Sequence, residues 1–119
     1  MNWIRSSLNR LVNDYGTDDE IAEAEKVIGY TSQDLKNHIE SMFNNKFSWD
    51  NRSEWHIDHI VPVSWFIKNG ITDPSIIHNL NNLQILTVFD NISKNDKLTD
   101  DGINLLKSGV LGVDFDLIK

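Results

Sequence analysis

Between Trp55 and Pro62 the chain reads Trp-His-Ile-Asp-His-Ile-Val-Pro, and no other stretch limits its fold as tightly. Aromatic and β-branched residues at this density favour a short strand, whose successive side chains point to opposite faces. Trp55, Ile57 and His59 then share one face, and His56, Asp58 and Ile60 share the other. Apolar residues fall on both faces, so the strand is at least partly buried on each side. An ionised Asp or a His in such a place needs a partner, because desolvating an unpaired charge is costly. A metal ion or a catalytic water would supply one.

The totals narrow the setting. At 119 residues and 13.7 kDa, one domain with a single modest core is expected. Hydrophobic residues at 39% and charged residues at 24% argue against disorder. No apolar run approaches the roughly 20 residues that span a bilayer. The first residues alternate polar and apolar instead of forming the core of a signal peptide, and the expectation is a soluble, cytoplasmic protein with no membrane partner. The absence of cysteine excludes disulfides and cysteine-ligated zinc. His, Asp, Glu and Asn remain as ligands, a set that suits magnesium, manganese, nickel or zinc in an open site. A net charge of −7 argues against a generally basic nucleic-acid surface. Yet Asp14, Asp18, Asp19, Glu20, Glu23 and Glu25 stand in residues 13–25 without a single Lys or Arg. Outside that segment the charges nearly balance.

Taken in order, Ile4, Leu8, Leu11 and Val12 predict a short amphipathic helix. Thr17 to Glu20 forms a capping-box pattern that starts a second helix, ended by Gly29. Its acids read most simply as a solvated face near the favourable end of the helix dipole; a DNA-mimicking surface is the sharper reading. Thr31 or Ser32 caps a third helix with an apolar stripe of Leu35, Ile39, Met42 and Phe43. Residues 44–54 read as a turn-rich loop pinned by Phe47 and Trp49. After the strand, residues 64–68 predict a helical turn, and Asn69-Gly70 and Asp73-Pro74 mark turns. The run from Leu83 to Val88 is a second strand able to pair with the first. Asp90 is expected to cap a polar helix over 91–97, Thr99 or Asp100 a last helix stopped by Gly109, and the alternating tail 111–117 to form an edge strand.

This order of strand, loop, strand and polar helix can bring Asp58, His59, Asn82 and Asn91 together. Trp55-His-Ile-Asp-His-Ile-Val-Pro62, Asn82-Leu-Gln-Ile-Leu86 and Asp90-Asn-Ile-Ser-Lys94 resemble the three pieces of the HNH nuclease motif, the ββα-metal fold. Residues from Ile28-Gly29 through Leu35, His38, Phe43 and Trp49 also resemble the lead-in of phage-encoded HNH endonucleases, so the likeness covers roughly residues 28–98. It implies an α+β fold: a helical lead-in over 1–54, a ββα-metal core over 55–98 with a two-stranded antiparallel sheet and a metal-binding helix, and a C-terminal helix and tail over 99–119. It also implies a metal-dependent endonuclease that nicks or cuts DNA.

Position by position, the resemblance implies that Asp58 and Asn91 ligate one divalent cation, with magnesium or manganese ahead of nickel or zinc. His59 would be the general base and Asn82 would hold its ring. Lys94 would point at a substrate phosphate, with Lys97 in support. His56 shares the Asp58 face and reads either as a further ligand or phosphate contact, or as a hydrogen-bonded strand histidine. His78 reads as structural and His38 as surface or packing. The assignments suit the chemistry, since phosphodiester hydrolysis needs an activated water, charge neutralisation and help for the departing alkoxide. An imidazole with an ordinary pKa of about 6.5 suits the first task. A competing expectation is an accessory protein whose acidic helix, 17–28, binds a basic partner. The resemblance permits phage packaging proteins as partners, and cutting both strands would call for a homodimer or successive nicks.

Overall fold

The computed structural model describes residues 16–115 together with Leu8 and Leu11. The helix expected over residues 3–12 otherwise lies outside the described residues, although Leu8 and Leu11 are both buried. Helix α1 (Asp18–Ile28) begins with the capping box read from the sequence: Glu20 N–H donates to Thr17 Oγ1 at 3.2 Å, and Thr17 N–H to Glu20 Oε1 at 3.0 Å. It ends at Gly29, whose φ of +97° is a left-handed cap that a β-carbon would disfavour. Helix α2 (Ser32–Glu40) repeats the box with Thr31 and Asp34. Met42 and Phe43, expected on the same helical stripe, lie beyond its end and still pack on the core.

The segment expected to be a loop contains a 3-10 turn over Trp49–Glu54, capped by Ser48. Trp49, Phe43 and Trp55 pack ring against ring with centroids 5.3–5.7 Å apart, and Arg52 stacks 4.3 Å over Trp55. Strand β1 (Trp55–His59) follows directly. It pairs antiparallel with β2 (Leu83–Thr87), Trp55 opposite Thr87 and Asp58 opposite Gln84. Between them lie α3 (Val63–Lys68) and the single turn α4 (Pro74–Ile77), which starts at the Asp73-Pro74 pair as the fixed φ of proline allows. Helix α5 (Val88–Lys94) starts earlier than the sequence predicts. Its cap is Thr87, which accepts from Asp90 N–H at 3.1 Å, so the strand runs into the helix without a loop. Helix α6 (Asp100–Ser108) has the expected Thr99 and Gly109 caps.

Among the described residues the buried side chains form two hydrophobic clusters, where length suggests a single core. Trp55, Leu83 and Ile85 bury one face of the ribbon against α1, α2 and the two described N-terminal leucines. Val61, Val63, Phe66 and Ile77 gather with Leu106, Leu111 and Val113 in the second cluster. The edge strand expected over 111–117 is absent from its described part, 111–115. Leu111 and Val113 are buried in the second cluster, and Gly112 between them has a φ of +77° that breaks extension. Alternation there reflects a bend with two buried residues.

Helix α6 approaches the chain just beyond β1. A β-carbon on Gly102 would stand 3.0 Å from the Ile60 carbonyl oxygen and 2.9 Å from Leu98 Cδ1. Gly102→Ala is therefore expected to lower the melting temperature, although alanine is the better helix former by up to about 1 kcal/mol. A thermal melt checks it; a rise would show that the backbone after His59 yields freely.

Candidate functional site

The second face of the ribbon meets α5. Residues two apart on β1 and three apart on α5 each present one side of their element, so His56 and Asp58 face Asn91 and Lys94. Asn91 Nδ2 donates to His56 Nδ1 at 2.9 Å. The Lys94 ammonium lies 3.5 Å from Asp58 Oδ1, 3.3 Å from Asp58 Oδ2 and 3.0 Å from the His59 carbonyl oxygen. Asp58 is only 7% exposed and also accepts from Gln84 Nε2 at 2.9 Å. A carboxylate so buried needs a counter-charge, and Lys94 provides it. The expected phosphate contact is thus turned inward here.

Asp58, His59, Asn91 and Lys94 line one cleft of about 580 Å³. Pro62 and Ser64 at the head of α3 also line it, as does Asp96. Ile92 also lines it and is 70% exposed, with Phe89 at 76% on the preceding turn. Lys97 is exposed in the turn after α5, and its backbone N–H donates to the Lys94 carbonyl; it is not among the residues lining the cleft.

Asn82 is placed differently from its expected role. It is fully buried, accepts from Val61 N–H at 2.7 Å, and donates to the carbonyls of Val61 at 3.1 Å and Ile77 at 3.0 Å. Its backbone carbonyl accepts from Ile60 N–H at 2.8 Å. Asn82 therefore clamps the backbone that follows His59, and its amide touches main chain rather than the imidazole. The His59 ring instead meets His78, with Nε2 2.8 Å from His78 Nδ1.

No family model matches the chain, and no solved structure matches it. An uncharacterised protein of Acanthamoeba polyphaga mimivirus, L426, is 38% identical over 74 residues. That similarity covers 61% of this chain and 33% of the viral protein, so the chain matches about a third of its relative's length.

The donors around Asp58 suit a hard divalent cation. Asn91 commits an amide N–H to His56, which leaves its carbonyl oxygen as a donor in the cleft that Asp58 also lines, and oxygen donors of this kind suit magnesium or manganese. Among the described residues no three His, Asp or Glu side chains form a ready-made cage, so such an ion would keep open positions.

Other side chains prove more structural than their charge suggests. Glu20 completes a capping box, and Glu25 accepts from Ser32 N–H at 2.8 Å. Asp18, Asp19 and Glu23 remain on the exposed side of α1. His38 Nε2 lies 2.9 Å from the Leu83 carbonyl oxygen, tying α2 to β2. No helix among the described residues is long and apolar enough to cross a membrane.

Proposed function

We propose that this protein is a metal-dependent endonuclease of the HNH, ββα-metal type that hydrolyses DNA phosphodiester bonds. One observation carries the reading: a carboxylate and an amide reach one cleft from adjoining elements, and His59 lines that same cleft. Asp58 and Asn91 would hold a divalent cation, with His56 steadying Asn91 through its hydrogen bond. When bound, that ion neutralises phosphate charge and stabilises the leaving oxygen, which a cleft containing Lys94 beside Asp58 and Asp96 does poorly alone. His59 takes one proton from water as the water oxygen bonds to phosphorus. The P–O bond to the leaving group breaks, and the departing alkoxide takes a proton from solvent.

Plasmid nicking tests the proposal. Supercoiled DNA is expected to relax or linearise with magnesium or manganese and to survive intact in chelator. Cleavage that continues unchanged in chelator would end the metal-dependent reading.

Lys94 gives a second test, read by binding. Its ammonium competes for the oxygens that would hold the ion, and like unit charges about 4 Å apart repel by about 1 kcal/mol even at the dielectric of bulk water. Lys94→Met is expected to lower the Kd for manganese about fivefold, to slow nicking, and to show a larger manganese-induced rise in melting temperature than the parent protein. Calorimetric titration checks it, and an unchanged or weaker affinity would place the ion elsewhere.

A further inference from the structure

The contact between His59 and His78 carries more than packing. His78 is fully buried, and its ring centroid lies 5.0 Å from that of His59 with the planes at 45°. Its backbone is held from two sides. The His78 N–H donates to the Pro74 carbonyl at 2.9 Å, closing α4, and the His78 carbonyl accepts from the Tyr30 hydroxyl at 2.6 Å. Burial raises the Tyr30 pKa, which keeps that hydroxyl a donor. One residue earlier, the Ile77 carbonyl is held by Asn82, the same side chain that clamps Val61. A single bracket thus fixes the backbone beside both imidazoles.

The 2.8 Å separation between His59 Nε2 and His78 Nδ1 has room for one hydrogen. If His78 carried it, neutral His59 would have its hydrogen on Nδ1 and no lone pair there to accept a proton. If His59 carries it, Nδ1 holds the lone pair, and Nε2, already engaged, needs no rearrangement when the ring becomes charged. Only the second arrangement makes a base of Nδ1.

We propose that His78 is a positioning residue: its Nδ1 accepts from His59 Nε2–H, selecting the tautomer whose Nδ1 takes the proton from water. The proposal rests on the nuclease reading for its consequence, while the hydrogen bond itself can be measured without any cleavage.

Two measurements test it. In the 119-residue chain at a pH where both rings are neutral, ring-nitrogen NMR shifts are expected to show His59 protonated on Nε2; protonation on Nδ1 would overturn the proposal. In nicking assays His78→Leu is expected to lower kcat roughly 10- to 100-fold with little change in KM, the usual loss when an outer hydrogen-bond partner is removed. His78→Asn can present an amide oxygen near the lost Nδ1 and is expected to recover most of the rate and keep the Nε2–H tautomer. Equal losses in both variants, or a loss confined to KM, would overturn it. If the leucine variant fails to fold, the asparagine variant decides alone: parental tautomer and kcat support the proposal, and a changed tautomer refutes it. Parental protein that never cleaves DNA would defeat the nuclease reading, and the tautomer would still decide whether His78 is the acceptor.

Discussion

His59→Ala is expected to abolish magnesium-dependent nicking, with kcat falling roughly 10²- to 10⁴-fold, the usual contribution of a positioned general base. The loss should fall on kcat, because Asp58 and Asn91, which would hold the ion, are other residues of the cleft and are untouched by the substitution. The substitution also removes one hydrogen-bond partner of a buried His78. A melting curve must therefore accompany the kinetics, since losing a buried hydrogen bond costs about 0.5–1.5 kcal/mol. Folded protein with the loss concentrated in kcat is the expected pair of results. Unchanged cleavage by the folded variant would remove His59 from the reaction, and with it the central chemical claim.

The largest effect on stability is expected at Asn82. Alanine there would leave Val61 N–H and the carbonyls of Val61 and Ile77 without the partners they have now, all around a fully buried position. Each orphaned group costs about 1–3 kcal/mol, and some relaxation is expected, so the total is roughly 3–5 kcal/mol. Against a typical stability of about 5–15 kcal/mol, that is a large share. For a domain near this size it corresponds to a drop in melting temperature of roughly 15 °C or more. Asn82→Asp should fare little better, because a carboxylate can accept from Val61 N–H but cannot donate to the two carbonyls. An unchanged melting temperature with lost cleavage would return Asn82 to a direct part in the reaction.

The same residue shows how far a sequence can be read. Asn82 stood out by its place ahead of a strand, nine positions before Asn91. Its type and location marked it as important, but not what its amide would bind. Its side-chain partners Val61 and Ile77 are 21 and 5 residues away, and spacing alone does not show which backbone groups will converge on a buried side chain. His78 is the converse case: a histidine with no local pattern around it, buried against His59 from 19 residues away. A hint lay in Asp73-Pro74, which starts the turn that ends at His78, but nothing local aimed that turn at β1.

Local chemistry determined much of the rest. The capping box at Thr17, the cap at Thr31 and the glycines at 29 and 109 act over a few residues, so those ends were legible, whereas Asp73-Pro74 read only as a turn and in fact heads α4. Alternation also marked both strands, and Asp58 and His59 were conspicuous as ionisable neighbours in an apolar run. Where two local signals competed, packing chose. Thr87 displaced Asp90 as the cap of α5, and Leu111 and Val113 joined a buried cluster where the pattern alone suggested a strand. The pairing of Lys94 with Asp58 across 36 positions likewise depends on how α5 lies over the ribbon. Hydrogen bonds within a turn are set by neighbours in the chain, whereas a buried charge takes whatever partner the assembled elements bring within reach.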